Sequence, residues 1–153
     1  MEWETARTVA YPWQCDSMGH FATQHYMKVF DDATYHLLGH LGFALSDVTR
    51  TRRGWADVSH SIEYCREVLA GDLLLVLSSV ERIGRTSITY KSRLTRAAEK
   101  DKNCAVLTGV AVHFDLERRV ALELPADIRA AARRALHVEE LEQPAQDAPT
   151  ESA

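Results

Sequence analysis

The sequence predicts an α+β fold, one long helix packed on an antiparallel sheet. Apolar residues recur at intervals of three and four from Tyr26 to Leu41, the period of a helix with one buried face. Four segments of strand character follow, joined only by short turns, so neighbouring strands run antiparallel. At 153 residues the chain suits a single domain with a substantial core.

Residues 6–14 read as a first strand, with Pro12 fitting an edge or a bend. The chain breaks at Asp16-Ser17-Met18-Gly19-His20 and continues as a helix over residues 24–41. Tyr26, Met27, Phe30, Ala33, Leu37, Leu38 and Leu41 share its apolar face. Lys28, Asp31, Asp32, Tyr35, His36 and His40 take the other face, and Gly42 is a stop. Residues 46–54 form a polar connection. In residues 57–64, Val58, His60, Ile62 and Tyr64 alternate with polar neighbours and are expected on the inner face. Residues 73–80 are an almost continuous apolar strand, residues 83–86 turn, and residues 87–96 alternate again. A charged loop at 98–103 leads to a strand at 104–114 that is apolar on both faces. Pro125 opens a short helix over residues 126–136, proline near the first turn being well placed. The domain is therefore expected to occupy residues 1–136, and the acidic, Pro/Ala-containing stretch 137–153 to be a disordered tail.

Apolar residues make up 46% and charged residues 26%, an ordinary globular balance. The formal charge is −4, but residues 137–153 hold five acidic groups and no Lys or Arg, leaving 18 basic against 17 acidic residues elsewhere. Such a balance argues against a nucleic-acid binder. Three widely spaced cysteines (Cys15, Cys65 and Cys104) form neither a disulfide framework nor a structural zinc motif. No apolar run is long enough for a membrane span, and the first residues lack the pattern of a signal peptide. A cytoplasmic protein is the resulting expectation. No Gly-rich phosphate loop and no Gly-x-Ser-x-Gly elbow is present.

Asp-x-Met-Gly-His at residues 16–20, Tyr26 ten positions after the Asp, Phe30-Asp31-Asp32-Ala33 and a Leu-Gly pair occur in one stretch. This pattern resembles the 4-hydroxybenzoyl-CoA thioesterase family of hotdog-fold proteins over about residues 5–125, with Ala22-Thr23 standing where the family often has Asn-Asn. The resemblance implies a five-stranded sheet wrapped around the long helix, and hydrolysis of an acyl-CoA thioester without a cofactor or metal. It also implies a homodimer or homotetramer with the site at the subunit interface. Thioesters on an acyl carrier protein, or acyl-CoA binding without turnover, are the alternative readings.

On residue chemistry alone, Asp16 before a helix is a turn former or cap. The resemblance makes it the catalytic carboxylate, acting as nucleophile or as base for a water. It makes the backbone N–H groups near Thr23, at the helix start, the donors that polarise the carbonyl oxygen. Gly19 would let the backbone bend, while His20, His25 and Tyr26 are candidate substrate contacts. His60, on the inner side of its strand, reads as a core histidine; the resemblance makes it a pocket candidate facing the catalytic loop of the partner. The basic group Arg82, Arg85, Lys91 and Arg93 lies around a strand turn. There the resemblance makes Arg82 and Arg85 candidates for CoA phosphates. His36 and His40 have i, i+4 spacing without the Glu of a metalloprotease motif and read as a solvated helix face. Cys15 reads as packing, and Trp13 and Trp55 as core or as walls for an aromatic or cationic acyl group.

Overall fold

The computed structural model describes residues 1–142. Strand β1 (Glu2–Val9) is followed by a 3-10 turn at Pro12–Gln14, helix α1 (Thr23–His40) and a short helix α2 (Leu45–Thr51). Then come β2 (Arg53–Tyr64), β3 (Leu73–Ile83), β4 (Ser87–Arg96), β5 (Asn103–Asp115), the two-residue β6 (Val120–Ala121) and helix α3 (Ala126–Glu142). The main sheet has the order β1-β3-β4-β5-β2, and every pairing is antiparallel. β6 pairs with the end of β5. The sheet curls round α1, giving the α+β hotdog architecture.

The helical period of α1 decides which face enters the core. Tyr26, Val29, Phe30, Ala33 and Leu37 are buried, and they meet Leu74, Val76, Tyr90, Leu94, Leu107 and Ala111 of the sheet; Leu38 is buried beside them. Complete burial of a side chain such as Phe30 stabilises the fold by roughly 1.5–3 kcal/mol. Gly42 ends the helix with φ +102°, a conformation that glycine adopts without strain. A second cluster, Leu41, Val80, Ile88, Leu124, Ile128 and Ala132, fixes α3 to the sheet. Beneath α1, three buried hydroxyls cross three strands. Thr5 Oγ1 lies 2.7 Å from Ser78 Oγ, which lies 2.7 Å from Ser92 Oγ.

Several segments differ from expectation. The first strand covers residues 2–9, and Pro12 starts a 3-10 turn, its fixed φ suiting a first helical position. The connection at 46–54 contains α2, stopped by Arg52 at φ 56°. β2 begins at Arg53, and its register shifts between Asp57 and Ser59. That bulge breaks the alternation and leaves Val58 61% exposed, contrary to the inward placement the pattern predicts. Beyond it Ile62 packs against the core, and Tyr64, half-exposed at the strand end, meets Tyr26. β2 is also a sheet edge, which leaves one side of this strand unpaired within the chain. The C-terminal helix runs through Glu142, six residues beyond the expected end, so the backbone at 137–142 is helical rather than the start of a disordered tail. The remainder of that expected tail, residues 143–153, lies outside the described residues. Among the described residues no helix is long and apolar enough to cross a membrane.

Candidate active site

Asp16 sits in a tight reverse turn between the 3-10 turn and α1. Its backbone N–H donates to the His20 carbonyl at 2.8 Å, and its own carbonyl accepts the Gly19 N–H at 3.0 Å. Gly19 has φ +82°, which accounts for glycine at this position. Asp16 Oδ1 accepts the backbone N–H groups of Met18 at 2.9 Å and His20 at 3.1 Å. One carboxylate oxygen thus shapes the turn. Bridges between Cys15 and Phe21, and between His20 and Leu69, tie the turn to the loop before β3.

Thr23 is the first residue of α1, and Ala22 before it offers no side-chain cap. The first-turn N–H groups, which have no partner inside a helix, therefore lack the usual hydroxyl or carboxylate cap. The His25 N–H is taken by the Ala22 carbonyl at 2.9 Å, while Thr23 borders an open cleft of about 300 Å³ lined by His20, Phe21, Thr23, Tyr26, Tyr64, Cys65, Arg66, Glu67 and Val68. Tyr26 forms one wall, with Phe21 and Tyr64 edge-on to its ring at 5.0 Å. Burial pushes its hydroxyl pKa up to about 12, so it stays neutral at physiological pH. His20 Nε2 lies 3.6 Å from Glu67 Oε1. The loop carrying Glu67 is fixed by Arg96, which donates to the Glu67 carbonyl at 2.7 Å and to Asp72 Oδ2 at 3.0 Å.

Asp16, Gly19, His20, Thr23 and Tyr26 are thus brought to one end of the molecule. The Asp16 carboxylate itself is exposed, so within one chain it lacks the apolar surroundings that favour attack on a carbonyl. His25 packs edge-on against Trp13 at 5.5 Å, outside the cleft lining. Trp13 is 73% exposed and is not part of the cleft lining. Cys15 Sγ lies 3.7 Å from the Tyr11 carbonyl oxygen, a packing position.

His60 is not a core histidine: its side chain is 27% exposed on edge strand β2. Its Nε2 lies 3.1 Å from the Tyr90 hydroxyl, which also lies 3.1 Å from Thr34 Oγ1 and 3.4 Å from Asp57 Oδ1. Burial, with the nearby carboxylates of Asp57 and Asp31, raises the Tyr90 pKa further still. Arg82 and Arg85 stand at the far end of β3, roughly 33 Å along the strand from the Asp16 end at about 3.3 Å per residue. One chain does not bring them to the cleft. Arg85 pairs with Glu123 at 3.0 Å, and Arg93 is held by Glu2 through two 2.7 Å contacts. His36 is exposed, and His40 stacks on Trp3 at 5.6 Å. Among the described residues there is no group of three or more His, Cys, Asp or Glu placed to hold a metal ion. Sequence reading missed Tyr64, Cys65, Arg66 and Glu67 as cleft residues. Their only signal is position, directly after a strand whose end the pairing brings to α1.

A long helix wrapped by a curled antiparallel sheet is the hotdog architecture. The thioesterase-like superfamily matches residues 11–132, and the chain belongs to it. This membership puts the chain in the class of thioester hydrolases. No curated protein matches the sequence significantly. Among solved structures, the DHNA-CoA thioesterase of Staphylococcus aureus superposes with a TM-score of 0.78 at 16% identity, over 91% of this chain and 94% of that one. Slr0204, a 1,4-dihydroxy-2-naphthoyl-CoA thioesterase from Synechocystis, gives 0.74 at 18%, over 94% and 100%. The SAV2348 protein of S. aureus in complex with CoA gives 0.75 at 13%, over 98% and 92%. At these identities the likeness is one of fold.

Proposed function

We propose that this protein hydrolyses an acyl-CoA thioester, with Asp16 acting on the carbonyl carbon directly or through a water. The observation that carries the reading is the junction of the Asp16 turn with the uncapped start of α1. A thioester carbonyl laid over that junction would have its carbon beside a carboxylate and its oxygen at N–H groups near Thr23. As the carbonyl oxygen gains charge, those donors and the helix dipole stabilise it. The C–S bond then breaks and the CoA thiolate leaves; the water route gives the free acid at once, whereas in the direct route a water must then cleave the acyl–Asp16 anhydride. The CoA complex and the CoA-thioesterase neighbours support CoA as the carrier. A panel of acyl-CoA esters assayed for free thiol tests the reading. Release above the uncatalysed rate for at least one ester is expected, and its absence across short, branched and aromatic acyl groups would count against an acyl-CoA hydrolase.

The open edge of β2 supports a site shared between two copies. Antiparallel pairing of two β2 edges about their centre would set the Tyr64 end of one strand against the Trp55 end of the other. The Asp16 turn of one chain would then gain the covering surface that it lacks alone. His60 would lie near the seam, and the partner's Arg82 and Arg85 would come to the same end of the joint sheet as this chain's Asp16. Sedimentation at micromolar concentration should therefore give a dimer or tetramer; a monomer that still turns over would rule out the shared site.

Arg85 offers a second test. Its pair with Glu123 is on the surface, worth at most about 1 kcal/mol, so Arg85→Ala should fold normally. If Arg85 meets CoA phosphates, the variant should raise KM for a CoA ester several-fold while leaving kcat nearly unchanged. The same acyl group on pantetheine, which lacks the distal phosphates, should show no change. Equal losses on both carriers would assign Arg85 a structural role.

A further inference from the structure

A separate pocket of about 140 Å³ opens between α1, α2 and the start of β2. Two carboxylates line it, Asp31 from α1 and Asp57 from β2, together with the rings of Tyr35, Phe43 and Trp55. No Lys, Arg or His is among its lining residues. Asp31 makes no hydrogen bond or ion pair to any of the described residues. Asp57 accepts only from Tyr90 at 3.4 Å, with His60 Nε2 at 3.7 Å. Asp31 is exposed and the Asp57 side chain is 35% exposed, so within one chain the pocket is open to solvent; two carboxylates facing one ring-walled space favour a cation, and aromatic rings add their own attraction for one. A dry cavity of about 150 Å³ admits a guest the size of benzene, so a compact cationic head fits here.

Antiparallel pairing of β2 edges would bring this pocket, at the Trp55–Asp57 end, beside the Asp16 turn of the partner. We propose that the pocket receives the far end of the acyl group, and that this end carries a compact cation of the quaternary-ammonium type. The proposal rests on the thioesterase reading and adds the class of acyl group to it.

The test compares two CoA esters of equal shape, one ending in trimethylammonium and the other in its uncharged tert-butyl isostere. The cationic ester should have the higher kcat/KM by about tenfold, the scale of a partly desolvated cation–π contact. That preference should fall towards unity in Asp31→Asn, a substitution on the exposed face of α1 that leaves the core untouched. Equal turnover of both esters, or a preference that survives Asp31→Asn, would overturn the proposal. Calorimetric titration of the intact protein with tetramethylammonium separates it from the reading beneath it. Binding that needs Asp31, without hydrolysis of any ester, would remove the hydrolase and leave the cation pocket. Hydrolysis of uncharged esters with no tetramethylammonium binding would remove the pocket and leave the hydrolase.

Discussion

Asp16→Asn should lower turnover by roughly a hundredfold or more, the scale of general-base catalysis. The structure makes this substitution clean. Asp16 Oδ1 accepts two backbone N–H groups, from Met18 and His20, and an amide oxygen accepts them equally well. The turn therefore keeps its shape while the negative charge is lost, and the melting temperature should stay close to that of the native protein. KM should change little, because binding comes mainly from contacts with CoA and the acyl group. Asp16→Glu should also fail, since one methylene displaces the reacting oxygen by about an ångström, a costly shift in a positioned site. The measurement is thiol release on the best substrate, alongside a thermal melt of each variant. An Asp16→Asn protein that folds and turns over near the native rate would remove Asp16 from the mechanism.

Gly109→Ala should lower stability by about 1–3 kcal/mol, a Tm loss of roughly 3–10 °C in a domain of this size. A methyl at Gly109 would stand 2.4 Å from Tyr90 Cζ and 2.5 Å from its hydroxyl oxygen. The ring cannot simply turn aside, because its hydroxyl is held by Thr34, His60 and Asp57 at 3.1–3.4 Å. Relief by movement would break a buried polar network, which places the loss towards the upper end of the range. Thermal denaturation of Gly109→Ala, Tyr90→Leu and the double variant tests the argument. The double variant should lose clearly less than the sum of the two single losses, since truncating the ring removes the clash. Additive losses would mean that the backbone at Gly109, not the ring above it, sets the requirement.

The helix was the most legible part of the chain. The period of three and four from Tyr26 to Leu41 names most of the residues that α1 buries, though not Val29 or Thr34, and Gly42 marks its end. Strand β4 was equally plain, since its alternation runs unbroken from Ser87 to Leu94. In β2 the same reasoning failed locally, because a one-residue bulge exchanges the faces and no residue type at 57–59 announces it. Helix α2 was missed because Ser46, Asp47, Thr49 and Thr51 are poor helix formers, and its short apolar pair, Leu45 and Val48, gives almost no period. β6 has only two residues, too few for any pattern. For the site, Asp16, Gly19 and the start of α1 could be read because they are consecutive. Arg66, Glu67 and the Asp31–Asp57 pocket could not, since their proximity follows from sheet order, which local sequence does not encode.

The chain of Thr5, Ser78 and Ser92 hydroxyls under α1 sets a rule for how this sequence can drift. Each hydroxyl is the partner of another, in a place where water does not reach to replace it. Ser78 stands between the other two, so its loss to alanine would leave the Ser92 hydroxyl without its partner and Thr5 with only the Val76 carbonyl at 3.4 Å, costing about 1–3 kcal/mol, whereas exchanging all three for apolar groups of similar size can be nearly neutral. The three positions lie on strands β1, β3 and β4, as much as 87 residues apart, yet they form one connected chain. Descendants of this protein would be expected to keep Ser78 wherever Ser92 keeps its hydroxyl, while Thr5, at the end of the hydroxyl chain, is freer to change.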